Sequence, residues 1–140
     1  MSPKTLDAVL AVDEQIGPGE LSLLKDKGFR AVINCRPDGE EAGQPSSDEI
    51  ARAAAQAGLA YVHVPVMPGG IGEEDVAAFG QALETLPQPI FGYCKTGTRA
   101  AMLWGLCRCG KEGPEAVLET ARQAGYDLSS LRARLADRAG

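Results

Sequence analysis

Ile90-Phe91-Gly92-Tyr93-Cys94-Lys95-Thr96-Gly97-Thr98-Arg99 is the stretch from which both fold and chemistry are read. Ile90 to Tyr93, bounded by Pro89, read as a buried strand, and Arg99 to Cys109 repeat apolar residues at helical spacing through Ala100, Leu103, Trp104 and Cys107. Cys94 therefore falls in a strand-to-helix turn. Amides of such a turn point inward and, with the positive end of the helix dipole, form an anion-binding nest. The same field favours a thiolate held above it, so a nucleophile beside an oxyanion cradle is expected.

Outward from this stretch the pattern alternates. Ala8 to Val12 suggest a strand, Gly19 to Lys27 a helix ended by Gly28, and Arg30 to Asn34 a strand. A helix is expected from about Ser47 to Ala57, capped by Ser46 or Ser47 with Glu49 near the third position and terminated by Gly58. Ala60 to Val66 read as a strand, Glu73 to Leu86 as a helix with acidic residues at its positive end, and Pro114 to Ala124 and Leu128 to Ala136 as helices. Alternation of this kind predicts an α/β fold, a parallel-dominated sheet of about four to five strands flanked by helices on both faces.

The turn itself has the spacing C-x4-R, with Gly97 available for a positive φ and Arg99 offering a planar fork to an anion. It resembles two families, the cysteine-dependent phosphatases with C-x5-R and the rhodanese-like sulfurtransferases with loops such as C-R-x-G-x-R. The longer loop of the first rings a tetrahedral phosphate. The shorter loop of the second leaves a tighter cradle suited to a persulfide sulfur, and this loop is one residue short of the phosphatase pattern.

Separated blocks extend the resemblance: Asn34-Cys35-Arg36-Pro37-Asp38, then Gly39-Glu40-Glu41 and Gln44-Pro45-Ser46, then Gly58 to Val66, then Tyr93 to Arg99. Together they resemble the phosphatase-like domain of the beta-lactamase-hydrolase-like family, a DUF442-type sulfurtransferase family, from about Gln15 to Gly110. The resemblance implies a dual-specificity-phosphatase-like fold, Cys94 as nucleophile and Arg99 as anion ligand. Some relatives are fused to a persulfide-dioxygenase-like metallohydrolase, which implies a role in sulfide or persulfide handling and a partner of that kind.

One departure bears on the chemistry. Dual-specificity phosphatases usually place an aspartate after an Ile-Pro-Val pattern to protonate the leaving alkoxide. Here the stretch is Val64-Pro65-Val66-Met67-Pro68, with Pro68 at the acid's position. General acid catalysis contributes roughly 10²–10⁴-fold, so its loss predicts a poor alkyl phosphatase, whereas sulfur transfer needs no such acid. Asp75 and Asp38 are the candidate substitutes.

The loop after the strand at Arg30 to Asn34 leaves a carboxyl strand end, where sites form in open α/β sheets. Arg36 is expected to bind an anionic donor while Asp38 orients Arg36 or Arg99; the alternative is a solvated turn shaped by Pro37-Asp38-Gly39. Lys95, Thr96, Gly97 and Thr98 complete the expected anion site. His63 alternates with valines and faces the less buried side of its strand, and Gly69-Gly70-Ile71-Gly72 read as a rim loop without the full glycine fingerprint of a nucleotide site.

The chain has 140 residues, 44% of them hydrophobic, which suits a single domain over its whole length. Its net charge of −5, with both signs interspersed, lacks the basic stripe of a nucleic-acid binder. No run of about 18 apolar residues suggests a membrane span, no leader pattern opens the chain, and a cytoplasmic location is expected. The cysteines, Cys35, Cys94, Cys107 and Cys109, show no paired zinc spacing, so neither metal nor other cofactor is expected. Cys107 is expected to pack inside and Cys109 to lie near the helix end. Cys35 shares the strand-end crevice with Cys94, or simply fills a pocket.

The function these readings favour is a sulfurtransferase moving sulfane sulfur through a Cys94 persulfide. It would draw on a small anionic donor, thiosulfate or glutathione persulfide, and pass sulfur to a thiol acceptor. The alternatives are a phosphomonoester phosphatase working through a phosphocysteine, and an anion-binding interaction domain without turnover.

Overall fold

The structure, a computed structural model, describes residues 1–139. Five strands, β1 (Lys4–Thr5), β2 (Leu10–Asp13), β3 (Ala31–Asn34), β4 (Ala60–His63) and β5 (Ile90–Tyr93), form one sheet in the order β1-β2-β5-β3-β4. The four longer strands run parallel, and β1 alone is antiparallel, at the edge beside β2. The expected parallel-dominated α/β architecture is therefore the one found. The two-residue β1 was not expected, because two residues carry no periodicity; the Lys4 ammonium, 2.8 Å from Asp13 Oδ1, ties it to β2.

Side chains alternate across the sheet, as the pleat requires. Val32, Phe91 and Tyr93 pack on one face against α1 (Leu21–Asp26) and α2 (Ser47–Ala57), through Leu21, Leu24, Ile50 and Ala54. Leu10, Val12, Ala31, Ile33 and Ile90 pack on the other, under α3 (Glu73–Thr85), α4 (Thr98–Glu112), α5 (Pro114–Gln123) and α6 (Arg132–Ala139). The central strands β2, β3 and β5 are buried on both sides, which is why they read as apolar runs, whereas the edge strand β4 is half-buried. Trp104 of α4 is fully buried, and its indole N–H donates to Asp7 Oδ2 at 2.9 Å. At Gly92, where α4 lies on β5, a Cβ would meet Leu10 Cδ1 at 3.4 Å and the Ala100 methyl at 3.8 Å, ordinary van der Waals separations.

Several element boundaries differ from expectation for local reasons. The α2 cap is as read: Ser46 Oγ accepts the Glu49 N–H at 3.1 Å and the Glu49 carboxylate accepts the Ser46 N–H at 3.3 Å. The helix expected over 19–27 is a short 3-10 turn, Pro18–Glu20, followed by α1. β4 stops at His63 instead of Val66, because Pro65 brings no N–H to the ladder, although Val64 and Val66 still donate to Asn34 and Cys35 carbonyls at 2.8 and 3.0 Å. The C-terminal helix is a 3-10 turn, Ser129–Leu131, leading into α6.

The cysteine expectations on α4 are reversed. Cys109 is fully buried and Cys107 is only half-buried, its thiol 3.5 Å from the Val76 carbonyl. The helix runs on to Glu112, and α6 lies over it, with Arg138 Nε donating to the Leu106 carbonyl at 2.9 Å. Among the described residues no helix is long and apolar enough to cross a membrane.

Candidate active site

Cys94 follows β5, and α4 begins four residues later at Thr98. The Gly97 N–H donates to Cys94 Sγ at 3.1 Å, so the turn folds back onto the sulfur. Gly97 has φ +95°, and a Cβ there would fall 2.3 Å from the Tyr126 hydroxyl and 3.1 Å from the Asp13 carbonyl. Both conformation and space demand glycine at this position. On the other side of the turn the Lys95 carbonyl accepts the Gln15 N–H at 3.2 Å. Thr96 Oγ1 donates to Thr98 Oγ1 at 3.0 Å on the exposed rim, so these hydroxyls bind each other rather than the sulfur.

Arg99 is largely buried at the start of α4. Its Nη1 donates to Glu40 Oε2 at 2.7 Å and to the Val66 carbonyl at 2.8 Å, and its Nη2 donates to Glu40 Oε1 at 2.9 Å. A guanidinium carries about five N–H donors, so Nε and one N–H of Nη2 remain for an anion. Arg36 is buried more deeply, at 2% exposure: Nε donates to Glu40 Oε1 at 2.8 Å and Nη1 to Gln15 Oε1 at 3.1 Å. Its Nη2 lies 3.5 Å from Glu41 Oε1 but makes no hydrogen bond. Glu40 thus joins the two arginines, and its hydrogen bonds from Arg99, then from Arg36, lower its pKa to about 2. Glu41 extends the contact outward, with Lys95 Nζ 3.7 Å from its carboxylate.

Asp38 does not orient either arginine. Its Oδ1 accepts the Ser47 N–H at 2.7 Å and so belongs to the start of α2, while Glu40 does the orienting. The correction follows from the turn at Gly39, φ +76°, which directs the chain so that Glu40 returns to the arginines and Asp38 does not. His63 is likewise occupied, with Nε2 2.8 Å from the Arg36 carbonyl, supporting the loop that carries Arg36. Asp75 accepts the Gly72 N–H at 2.8 Å and caps α3. The sequence reading assigns Glu40 no role at the site; its spacing of four from Arg36 is the available signal. Gln15 and Tyr126 arrive from distant segments and had none.

The family model describing the phosphatase-like domain of beta-lactamase hydrolase-like proteins matches residues 3–111. The chain belongs to this family. A beta-lactamase hydrolase-like protein of Xylella fastidiosa is 40% identical over 121 residues, which cover 85% of this chain and 28% of that protein. The chain thus spans little more than a quarter of the length of this curated relative. A crystal structure from Neisseria meningitidis, described as that of a candidate phosphatase, matches with TM-score 0.86 and 32% identity over 96% of both chains. A DUF442 structure from Shewanella putrefaciens matches with TM-score 0.80 and 22% identity over 99% of this chain and 93% of its own. Kinase-associated phosphatase, at TM-score 0.74 and 15% identity over 90% and 83% of the two chains, shares the fold. The phosphatase-like domain of this family therefore has the cysteine-phosphatase architecture that the motifs implied, with Cys94 and Arg99 at the two ends of its strand-to-helix loop.

Proposed function

We propose that this phosphatase-like domain is a sulfurtransferase that carries sulfane sulfur on Cys94. The observation that carries the reading is the Gly97 N–H on Cys94 Sγ, at 3.1 Å, inside a loop with only four residues between Cys94 and Arg99. In the first step the Cys94 thiolate attacks the outer sulfur of thiosulfate; a sulfur–sulfur bond forms, the bond within thiosulfate breaks, and sulfite leaves with the electron pair. In the second step an acceptor thiolate attacks the outer sulfur of the Cys94 persulfide and regenerates the Cys94 thiolate. The free donors of Arg99 supply positive charge to an anionic donor, with the Arg36 guanidinium behind it, its Nη2 buried 3.5 Å from the Glu41 carboxylate. Neither leaving group needs a proton, which agrees with Pro68 at the position of the phosphatase acid.

A partner of persulfide-dioxygenase type, consuming the persulfide product, belongs to this proposal, as the resemblance of the motifs to the family implies. Four free thiols fit a reducing compartment, the cytoplasm.

A second reading, phosphomonoester hydrolysis through a phosphocysteine, is favoured by the Neisseria meningitidis structure described as a candidate phosphatase. One experiment separates the two. After incubation with thiosulfate or glutathione persulfide, intact-mass analysis is expected to show one added sulfur on the wild-type chain and none on Cys94→Ser. No adduct with either donor, together with efficient alkyl phosphate hydrolysis, overturns the sulfur-transfer reading.

A further inference from the structure

Glu40 and Glu41 are neighbours in sequence and hold cations in different ways. Every contact of Glu40 with the arginines is a hydrogen bond of 2.7 to 2.9 Å. Glu41 only approaches: its Oε1 lies 3.5 Å from Arg36 Nη2, its Oε2 lies 3.7 Å from Lys95 Nζ, and Nη2 is left without a hydrogen bond. A buried guanidinium N–H without an acceptor is unfavourable, so Nη2 favours any oxygen brought closer than that of Glu41. Arg36 is buried, whereas Glu41 and Lys95 are each more than half exposed. The Glu41 carboxylate therefore stands where solvent meets the arginine, at a point that a carboxylate arriving from solution also reaches. Ion pairs this exposed contribute little, so Glu41 yields the place at low cost. The place adjoins the reacting centre: Lys95 follows Cys94 directly, and Arg36 Nε and Arg99 Nη2 share Glu40 Oε1, at 2.8 and 2.9 Å.

We infer that Lys95 and Arg36 form a second anion subsite, filled by Glu41 in the free protein and taken over by the carboxylate of an organic persulfide donor. The donor binds with its carboxylate between Lys95 and Arg36 and its sulfurs toward Cys94 and the free N–H groups of Arg99. Glu41 swings into solvent. The Cys94 thiolate then attacks the terminal sulfur of the neutral persulfide; a new S–S bond forms, the donor's own S–S bond breaks, and the donor thiolate leaves with the electron pair while the proton stays on the transferred sulfur. Arg99 faces the charge that develops on the leaving thiolate. Thiosulfate, with no second anionic group, gains nothing from the subsite.

The identity of the donor rests on the sulfur-transfer reading, and the test separates that reading from the subsite. Protection of Cys94 from iodoacetamide is measured with sulfoacetate, sulfopropanoate and sulfobutanoate, and with alkanesulfonates of matching length, in wild type, Glu41→Gln and Lys95→Gln. The sulfonate serves the Arg99 cradle and the carboxylate the second subsite. At one chain length the carboxylate is expected to improve protection about twofold in wild type and up to about fivefold in Glu41→Gln, the range of an exposed ion pair. Lys95→Gln is expected to erase most of that advantage. Equal protection by all three sulfocarboxylates shows attraction without a seat and overturns the subsite. So does an advantage that Lys95→Gln leaves intact, or one that Glu41→Gln does not raise. Sulfur loading of Cys94 from mercaptopropionate persulfide is then compared with loading from mercaptopropanol persulfide by intact mass. Faster loading from the first supports the assigned donor class, and equal loading overturns it. The carboxylate advantage in protection, without loading from either persulfide, keeps the subsite and overturns sulfur transfer.

Discussion

Glu40 and Arg99, separated by 59 positions in the chain, meet as a parallel fork at 2.7 and 2.9 Å, and the same carboxylate takes Arg36 Nε at 2.8 Å. One carboxylate therefore holds two buried guanidiniums beside the cysteine loop. Glu40→Ala leaves both without it, and removing one partner of a buried pair costs about 3–5 kcal/mol. Because Glu40 keeps 15% exposure, the expectation is the low end of that range, about 3 kcal/mol, read as a lower urea midpoint. An unchanged midpoint would mean that water replaces the carboxylate without loss.

The same contact makes stability depend on acid. The folded-state pKa of Glu40 lies at about 2, below its ordinary 4.5, so folding favours the ionised form. The stabilisation is complete above 4.5 and is lost as pH falls from there toward 2. Wild type and Glu40→Gln are expected to differ at neutral pH and to converge across that window in acid-unfolding curves. A difference that persists unchanged to the acid limit contradicts the linkage.

The fold was legible because its signals are local. Ile90 to Tyr93 is a short apolar run, Ser46 with Glu49 a cap, and Gly58 a stop, and each is read without knowledge of what packs against it. The site was legible only where it is contiguous. Cys94 to Arg99 stood out as one motif, but the neighbours of Arg99 come from residues 40 and 66, and those of the loop backbone from residue 15. Asp38 is expected to orient an arginine, with a turn shaped by Pro37-Asp38-Gly39 as the alternative; the turn is present, and it sends the other acid, Glu40, inward. Cys109 is fully buried on a helix that α5 and α6 both pack against, and no pattern within α4 announces their docking.

Gly97 provides a packing test near the nucleophile. A non-glycine residue in the left-handed region costs about 1–2 kcal/mol, and in Gly97→Ala the methyl also meets the Tyr126 hydroxyl at 2.3 Å. Gly97→Ala is expected to lower the thermal midpoint and slow iodoacetamide labelling of Cys94. Adding Tyr126→Phe removes the hydroxyl clash but not the backbone strain, so partial recovery is expected. Full recovery would assign the whole cost to the hydroxyl; none would assign it to the backbone.

Cys94, Cys107 and Cys109 should separate cleanly by function. Cys94→Ser is expected to abolish turnover in every assay. Cys107→Ser should leave it intact, since Cys107 lies on α4 against Val76 and burial pushes its thiol up to about 11, far from a reactive state at neutral pH. Cys109→Ser places a hydroxyl where a thiol is fully buried, and should cost stability while preserving turnover of the folded fraction. Near-normal turnover by well-folded Cys94→Ser removes the nucleophile.

Asp75 discriminates between sulfur transfer and phosphate hydrolysis. Its carboxylate, at the third position of α3, accepts the N–H of the N-cap residue Gly72 at 2.8 Å, and the side-chain carbonyl oxygen of asparagine can accept the same N–H. Asp75→Asn therefore keeps that acceptor while removing the ionisable carboxyl. If Asp75 is merely structural, sulfur transfer is unchanged, and aryl phosphates, whose leaving groups need no acid, react no differently from wild type. If it is a relocated general acid, alkyl phosphate turnover falls by roughly 10²-fold or more while aryl phosphate turnover holds. The expected outcome is the first, because Cys94 with its Gly97 donor needs no proton source to accept a sulfane sulfur. A selective loss with alkyl phosphates would reverse the ranking and make Asp75 the acid that Pro68 displaced.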